Sequence, residues 1–254
     1  MPEVKMAEAP AQSADAPEVL NVRNLEAWYG ESHILHGIDF DVNAGEVVTL
    51  LGRNGAGKTT TLKSIMGIIG KRTGSVGFGG KEIIRASSDR IARMGVAFCP
   101  EERGIFASLD VRENLVLPPV VKRSGGLTLD QIFDLFPNLK ERLKSQGTKL
   151  SGGEQQMLAI ARILRTGASF LMLDEPTEGL APIIVEELLN ALGTITRSGG
   201  ICSVIVEQNA QKILGLADRV VILERGAIVH DAESRALKAD PSVLERHLGV
   251  TGKS

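Results

Sequence analysis

The chain has 254 residues, of which 43% are apolar, 24% charged and 4% aromatic, with a formal net charge of -2 at pH 7. That length suffices for a large single domain with a substantial core, and that charge is too small to make nucleic acid or an anionic membrane surface the expected partner. No apolar run approaches the roughly 18 residues of a membrane span, and the N-terminus lacks a basic segment followed by a hydrophobic one, so the chain is expected neither to be exported nor to cross a membrane alone.

Residues 1–18 are rich in Ala, Pro and acidic side chains without periodicity and read as a disordered extension, which leaves residues 19–250 as one domain. From 19 to 29 and from 34 to 42, apolar and polar residues alternate as in half-buried antiparallel strands, and Asn43-Ala44-Gly45 supplies a turn after the second of them. Residues 46–51 form a buried-strand run, followed by a Gly-rich loop and a helical pattern over 60–66 closed by Gly67. Further buried strands are expected at 96–99, 170–173, 202–206 and 220–223, with helices at 181–197 and 209–216. Strands alternating with helices imply an α/β fold with a mostly parallel sheet covered on both faces, preceded by an antiparallel β region.

The stretch 101–166 carries mainly helical patterns, at 129–136, 139–145 and 152–164, and is expected to be a helical subdomain inserted into a core made of residues 19–100 and 167–250. Cys99 and Cys202 lie in apolar runs with no C-x-x-C pair and read as buried free thiols. His33 and His36, three apart in an alternating segment, are expected on opposite faces and therefore not as a metal pair. No internal repeat is visible, and the chemistry-bearing motifs each occur once.

Gly52-Arg53-Asn54-Gly55-Ala56-Gly57-Lys58-Thr59 matches G-x-x-x-x-G-K-[ST] between a buried strand and a helix, and Thr60 continues the helix start. Glycines at positive φ let successive amides turn inward around phosphate oxygens at a helix N-terminus. Lys58 is placed to reach the β- and γ-phosphates, and the Thr59 hydroxyl to ligate magnesium. Phe170-Leu171-Met172-Leu173-Asp174-Glu175 is a buried strand ending in two carboxylates. Asp174 at the strand end is expected to hold Mg2+ through water, and Glu175 to polarise the water that attacks the γ-phosphate.

Leu150-Ser151-Gly152-Gly153-Glu154-Gln155-Gln156 opens a helix with a hydroxyl and two glycine amides, another anion-binding arrangement. With this motif and the P-loop together, residues 19–248 resemble the ATP-binding subunits of ABC transporters, whose signature is LSGGE/Q; the fold implied is that of a P-loop NTPase of the ABC ATPase type. The resemblance implies that Ser151, Gly152, Gly153 and Gln155 serve an ATP held by another subunit's P-loop. With one copy of each motif, a complete site then needs two chains head to tail.

The resemblance places an adenine-stacking aromatic at Tyr29, with the neighbouring Trp28 as competitor. It puts Glu101 where most members have a magnesium-touching glutamine, Gln208 where most have a histidine bonded to the γ-phosphate, and Ala181 where many have an aspartate that communicates across the dimer. Glutamine can donate that bond but cannot carry the proton. Pro100-Glu101, SGGEQQMLAIARIL, DEPTEGLAPIIVE and VEQNA are similar to the ATP-binding subunits of branched-chain amino acid importers.

The implied assembly is a pair of related ATPases, a heterodimer with a homodimer as alternative, beneath two permease subunits and fed by a solute-binding protein, on the cytoplasmic face of the membrane. ATP and Mg2+ are the implied cofactors. An ATP-gated structural subunit with little hydrolysis of its own, a soluble ABC protein of translation or DNA repair, and an importer of amides or urea are the competing readings.

Overall fold

The computed structural model describes residues 18–121 and 126–249, so the expected N-terminal extension lies outside the described residues except for Glu18, which begins the first strand. β1 (Glu18–Tyr29) and β2 (Ser32–Asn43) pair as the expected antiparallel hairpin. β3 (Val47–Leu51) leads to α1 (Lys58–Ile65). Then come β4 (Lys71–Phe78), β5 (Lys81–Glu82), α2 (Ser88–Arg93) and β6 (Val96–Cys99).

The helical stretch contains α3 (Val111–Val116), α4 (Leu129–Leu135), α5 (Pro137–Glu141) and α6 (Gly152–Arg165). The chain returns through β7 (Phe170–Asp174), α7 (Pro182–Gly199), β8 (Cys202–Glu207), α8 (Ala210–Ile213), β9 (Arg219–Glu224) and β10 (Ala227–Glu233). It closes with α9 (Ser234–Ala239) and α10 (Ser242–Leu248).

Two sheets result. The antiparallel one has the order β2-β1-β4-β5, and the six-stranded one β10-β9-β3-β8-β7-β6, parallel throughout except for β10 at its edge. The parallel strands are apolar at nearly every position because both faces are covered, and their period of two sorts the residues into two cores. Val48, Leu50, Phe170, Met172, Val204, Val206, Val221 and Leu223 pack toward the antiparallel sheet and the Leu62 and Ile65 face of α1. Val47, Leu51, Leu171, Leu173, Ile205, Val220 and Ile222 pack toward the helices, including Phe136, Leu139, Leu158 and Leu188. Phe78 of β4 meets Phe170 of β7 edge to face, with centroids 5.6 Å apart, joining the two sheets through one aromatic pair. Cys99 and Cys202 are buried and free, and burial pushes the Cys99 thiol up to about 12, so it stays protonated at neutral pH.

Three local expectations are corrected. The helix expected over 139–145 stops at Glu141, because the carbonyls of Leu143 and Ser145 accept from Arg112 and Val111 and cover the start of α3 instead of continuing a helix. The helix expected over 209–216 is one turn, α8, and the Leu214 carbonyl beyond it accepts from Ser234 Oγ. His33 and His36 share a face, their rings 4.2 Å apart. Pairing passes from Ala27↔Leu35 to Trp28↔His33 and skips Ile34, so a β-bulge there reverses the alternation.

The β9–β10 turn locks the two sheets to the Gly-rich loop. Gly226 N donates to Ala56 O at 2.8 Å, and Gly226 O accepts from His36 N at 2.8 Å. Gly226 has φ +78, and a Cβ there would sit 1.9 Å from Ile34 O, so only glycine fits. Truncating the aromatic that joins the sheets, Phe170→Ala, is expected to cost about 3–5 kcal/mol in urea-monitored unfolding; a loss below about 1 kcal/mol would contradict a core shared between the sheets.

Candidate functional site

After β3 the chain turns through residues 52–57 into α1. Gly57 is the N-cap of α1 at φ +106, and a Cβ there would lie 2.8 Å from Leu35 Cδ2, so both the backbone conformation and the space demand glycine. The first amides of a helix have no acceptor within it, and the residues that carry them, Lys58, Thr59 and Thr60, line a cleft of about 440 Å³. Asn54, Gly55 and Ala56, Tyr29 and Ile34, and Glu101, Glu175, Glu178 and Gln208 line it as well. The lining thus combines amide donors and an ammonium with an aromatic and an aliphatic side chain.

The carboxylates of β7 meet the loop directly. Thr59 Oγ1 donates to Asp174 Oδ1 at 2.9 Å, and Lys58 Nζ stands 3.6 Å from Glu175 Oε1 while donating to the carbonyls of Gly52 at 2.9 Å and Arg53 at 3.3 Å. Gln208 Nε2 donates to Glu175 Oε2 at 2.6 Å. Glu175 itself has φ +48, a left-handed conformation that a non-glycine residue holds only when its surroundings impose it. Burial, reinforced by the charge of Glu175 and opposed by the Thr59 hydrogen bond, pushes the Asp174 carboxyl up to about 6. Glu178 is raised to about 7, first by a hydrogen bond shared with Glu175 and then by burial and the surrounding carboxylates. Burial likewise raises Glu207. Among the described residues no group of three or more His, Cys, Asp or Glu side chains is arranged to hold a metal ion by itself.

The expected residues do not all gather there. Gly52 and Arg53 contribute carbonyls to Lys58, but the Arg53 side chain lies in a neighbouring cleft with Arg225, Arg246 and His247. Tyr29, 49% exposed, lines the main cleft, whereas Trp28 stacks on His33 at 4.4 Å with Lys71 Nζ 5.4 Å from its ring. Ser151, Gly152 and Gly153 are not among the residues lining the cleft. Ser151 is the N-cap of α6 in a capping box with Glu154, its Oγ accepting from Glu154 N at 3.3 Å and its own amide donating to Glu154 Oε2 at 2.7 Å.

Gln155, expected among the anion-binding groups, instead braces its own chain. Its Oε1 accepts from Arg103 and its Nε2 donates to the carbonyls of Gly147 and Leu150. Ala181 caps α7 without any side-chain hydrogen bond, where an aspartate would have satisfied one of the open amides.

Sequence reading missed Ile34, Glu178 and Glu207. Ile34 enters the cleft because of the bulge, which no local pattern announces. Glu207 had a visible signal: it closes an otherwise apolar strand, and its side chain is buried, accepting from Thr177 N at 3.1 Å.

Comparison with known proteins adds a family. The family model described as ABC transporter matches residues 35–178. The chain is 40% identical over 233 residues to the high-affinity branched-chain amino acid transport ATP-binding protein BraG of Pseudomonas aeruginosa, covering 91% of this chain and all of that one. It is 31% identical over 236 residues to the lipopolysaccharide export system ATP-binding protein LptB of Escherichia coli K12, covering 91% and 97%. Its fold superimposes on the ADP conformation of MJ1267, an ATP-binding cassette of an ABC transporter, with a TM-score of 0.75 at 24% identity over 92% of this chain and all of that one.

An acid whose folded-state pKa is raised keeps its stabilising contribution below its unfolded value and loses it as the pH rises through the folded value. For Asp174 that window runs from 3.8 to about 6. In EDTA and without nucleotide, the melting temperature should therefore fall across this window, and Asp174→Asn should flatten the fall. Parallel pH profiles for the two proteins would contradict this account of Asp174.

Proposed function

Because the chain belongs to the ABC transporter family, we propose that it is the ATP-binding and ATP-hydrolysing subunit of an ABC importer for branched-chain amino acids. The observation that carries the chemistry is the 2.9 Å bond between the P-loop hydroxyl Thr59 and Asp174, which sets a phosphate-binding helix start beside two carboxylates. Identity to BraG at 40% across its whole length, against 31% to the lipopolysaccharide exporter subunit, supports the choice of cargo.

ATP enters with its phosphates on the amides of Lys58, Thr59 and Thr60 and its base toward Tyr29 and Ile34. Stacking on Tyr29 favours the base without reading it closely. Lys58 exchanges its partner Glu175 for phosphate oxygens. Magnesium would be held by the hard oxygens of Thr59 and Asp174, and Glu101 lines the same cleft. A magnesium ion held there would supply charge neutralisation to the phosphates. Glu175 accepts a proton from the attacking water. Gln208, with two amide hydrogens, can hold Glu175 with one and the γ-phosphate with the other.

Ser151 and the amides of Gly152 and Gly153 stand outside the chain's own cleft, which supports a second ATPase subunit supplying those donors, a related partner in a heterodimer or a second copy of this chain. Phe106, Val116, Leu117 and Val120 are large apolar side chains about half exposed on the helical segment 101–166, a surface suited to a permease subunit. Among the described residues no helix is long and apolar enough to cross a membrane, so the chain would be held at the cytoplasmic face through that permease, with the solute-binding protein acting on the far side.

In the assembled transporter, Lys58→Ala should weaken ATP binding by roughly 10²-fold or more. Glu175→Gln should keep ATP binding while turnover falls by about 10²–10⁴-fold. Undiminished ATP binding by the first variant, or rapid hydrolysis by the second, would contradict the roles assigned.

A further inference from the structure

The loop after β7 is held to the end of β8 by a set of bonds in which one member has no part in binding phosphate. Glu175, Pro176 and Thr177 come directly after Asp174, and because proline has no N–H, this turn has only two amide donors. Both go to consecutive residues of β8: Glu175 N donates to Val206 O at 2.9 Å, and Thr177 N donates to Glu207 Oε1 at 3.1 Å. The next residue, Gln208, closes the set by donating to Glu175 Oε2 at 2.6 Å. Three successive positions, the last two of β8 and the residue after it, thus fix the turn through a backbone carbonyl, a carboxylate and an amide.

Glu207 is the unexpected member. Its side chain is 3% exposed, and burying a carboxylate is costly unless it is bonded. An apolar residue would suit the strand better, since the preceding residues from Cys202 to Val206 are all buried. What an apolar residue cannot supply is an acceptor for the buried Thr177 amide. The backbone it restrains carries Glu175 at φ +48, a conformation that relaxes readily once its restraints are removed.

We propose that Glu207 is a positioning residue for ATP hydrolysis: its carboxylate oxygen anchors the Thr177 amide and thereby holds Glu175 in the orientation in which it meets the attacking water. The inference rests on the ATPase reading of the cleft. It separates binding from turnover, because the amides of Lys58, Thr59 and Thr60 lie on α1 and make no bond to Glu207. It also depends on the acceptor oxygen and not on the negative charge, so glutamine, which keeps an oxygen at the same place, should substitute for glutamate whereas leucine should not.

The test is steady-state ATP hydrolysis by the assembled transporter carrying wild-type chain, Glu207→Gln or Glu207→Leu, with binding of a fluorescent ATP analogue measured on the same preparations. A small misplacement of a reacting group costs on the order of 10²-fold in rate, so Glu207→Leu should lose kcat on that scale with KM and analogue affinity within about 3-fold of wild type. Glu207→Gln should retain kcat within about 3-fold. The proposal is overturned if Glu207→Leu turns over normally, if Glu207→Gln is as impaired as Glu207→Leu, or if Glu207→Leu loses analogue binding together with kcat, which would make Glu207 a general structural residue. A wild-type complex that hydrolyses no ATP would overturn the ATPase reading itself, and the inference with it.

Discussion

Thr59 and Asp174 are 115 positions apart in the chain and 2.9 Å apart in space, and the candidate site depends on that contact. It fixes the start of α1 against the end of β7, so that helix amides, the Lys58 ammonium and the Glu175 carboxylate face one cleft while Asp174 is buried against Thr59. The contact exists because β3 and β7 both lie in the parallel sheet, separated only by β8, with their C-terminal ends on the same side. Burial of both sheet faces makes the register hard to alter, since a one-residue slip would exchange the two cores. The functional geometry is thus a consequence of sheet packing, and the Gly226 turn, bonded to Ala56 and to His36, extends the same constraint to the antiparallel sheet.

The cost of this arrangement is electrostatic. Asp174, Glu175, Glu178 and Glu207 cluster near one another with Glu101; burial raises Asp174, and a hydrogen bond shared with Glu175, then burial, raises Glu178, both well above ordinary carboxyls. Lys58 offsets part of that charge at 3.6 Å from Glu175. On the proposed reading, phosphates would draw Lys58 away and bring a cation of their own, so the cluster would take part of its compensation from what it binds. The same reasoning explains why Gln208 serves here: an amide donates to Glu175 without adding a titrating group to a crowded site.

Where function depends on local chain geometry, the sequence was legible. The glycine spacing of residues 52–59, the apolar run ending in Asp174-Glu175 and the Ser151-Gly152-Gly153 helix start announced their conformations because each lies within one short stretch. Contacts made across the fold were not legible. β4 was missed because Gly70, Gly74, Gly77, Gly79 and Gly80 with Lys71 and Arg72 hide a strand signal that only pairing with β1 creates. The His33–His36 contact and the entry of Ile34 into the cleft come from one bulge. Gln155 lies inside the signature motif yet serves its own loop through Arg103, Gly147 and Leu150, which spacing alone does not reveal. Arg53 carries the same lesson, since a position within a motif does not decide where its side chain goes.

The central claim is that this chain holds half of a composite ATP site and works beneath a permease, and the most direct test is its company in the cell. The chain would be tagged in its native host, the membranes solubilised in mild detergent with ATP and magnesium, and the co-purifying proteins identified by mass spectrometry. The account predicts a second, different P-loop ATPase together with two permease subunits. Recovery of soluble partners alone, or of none, would contradict it.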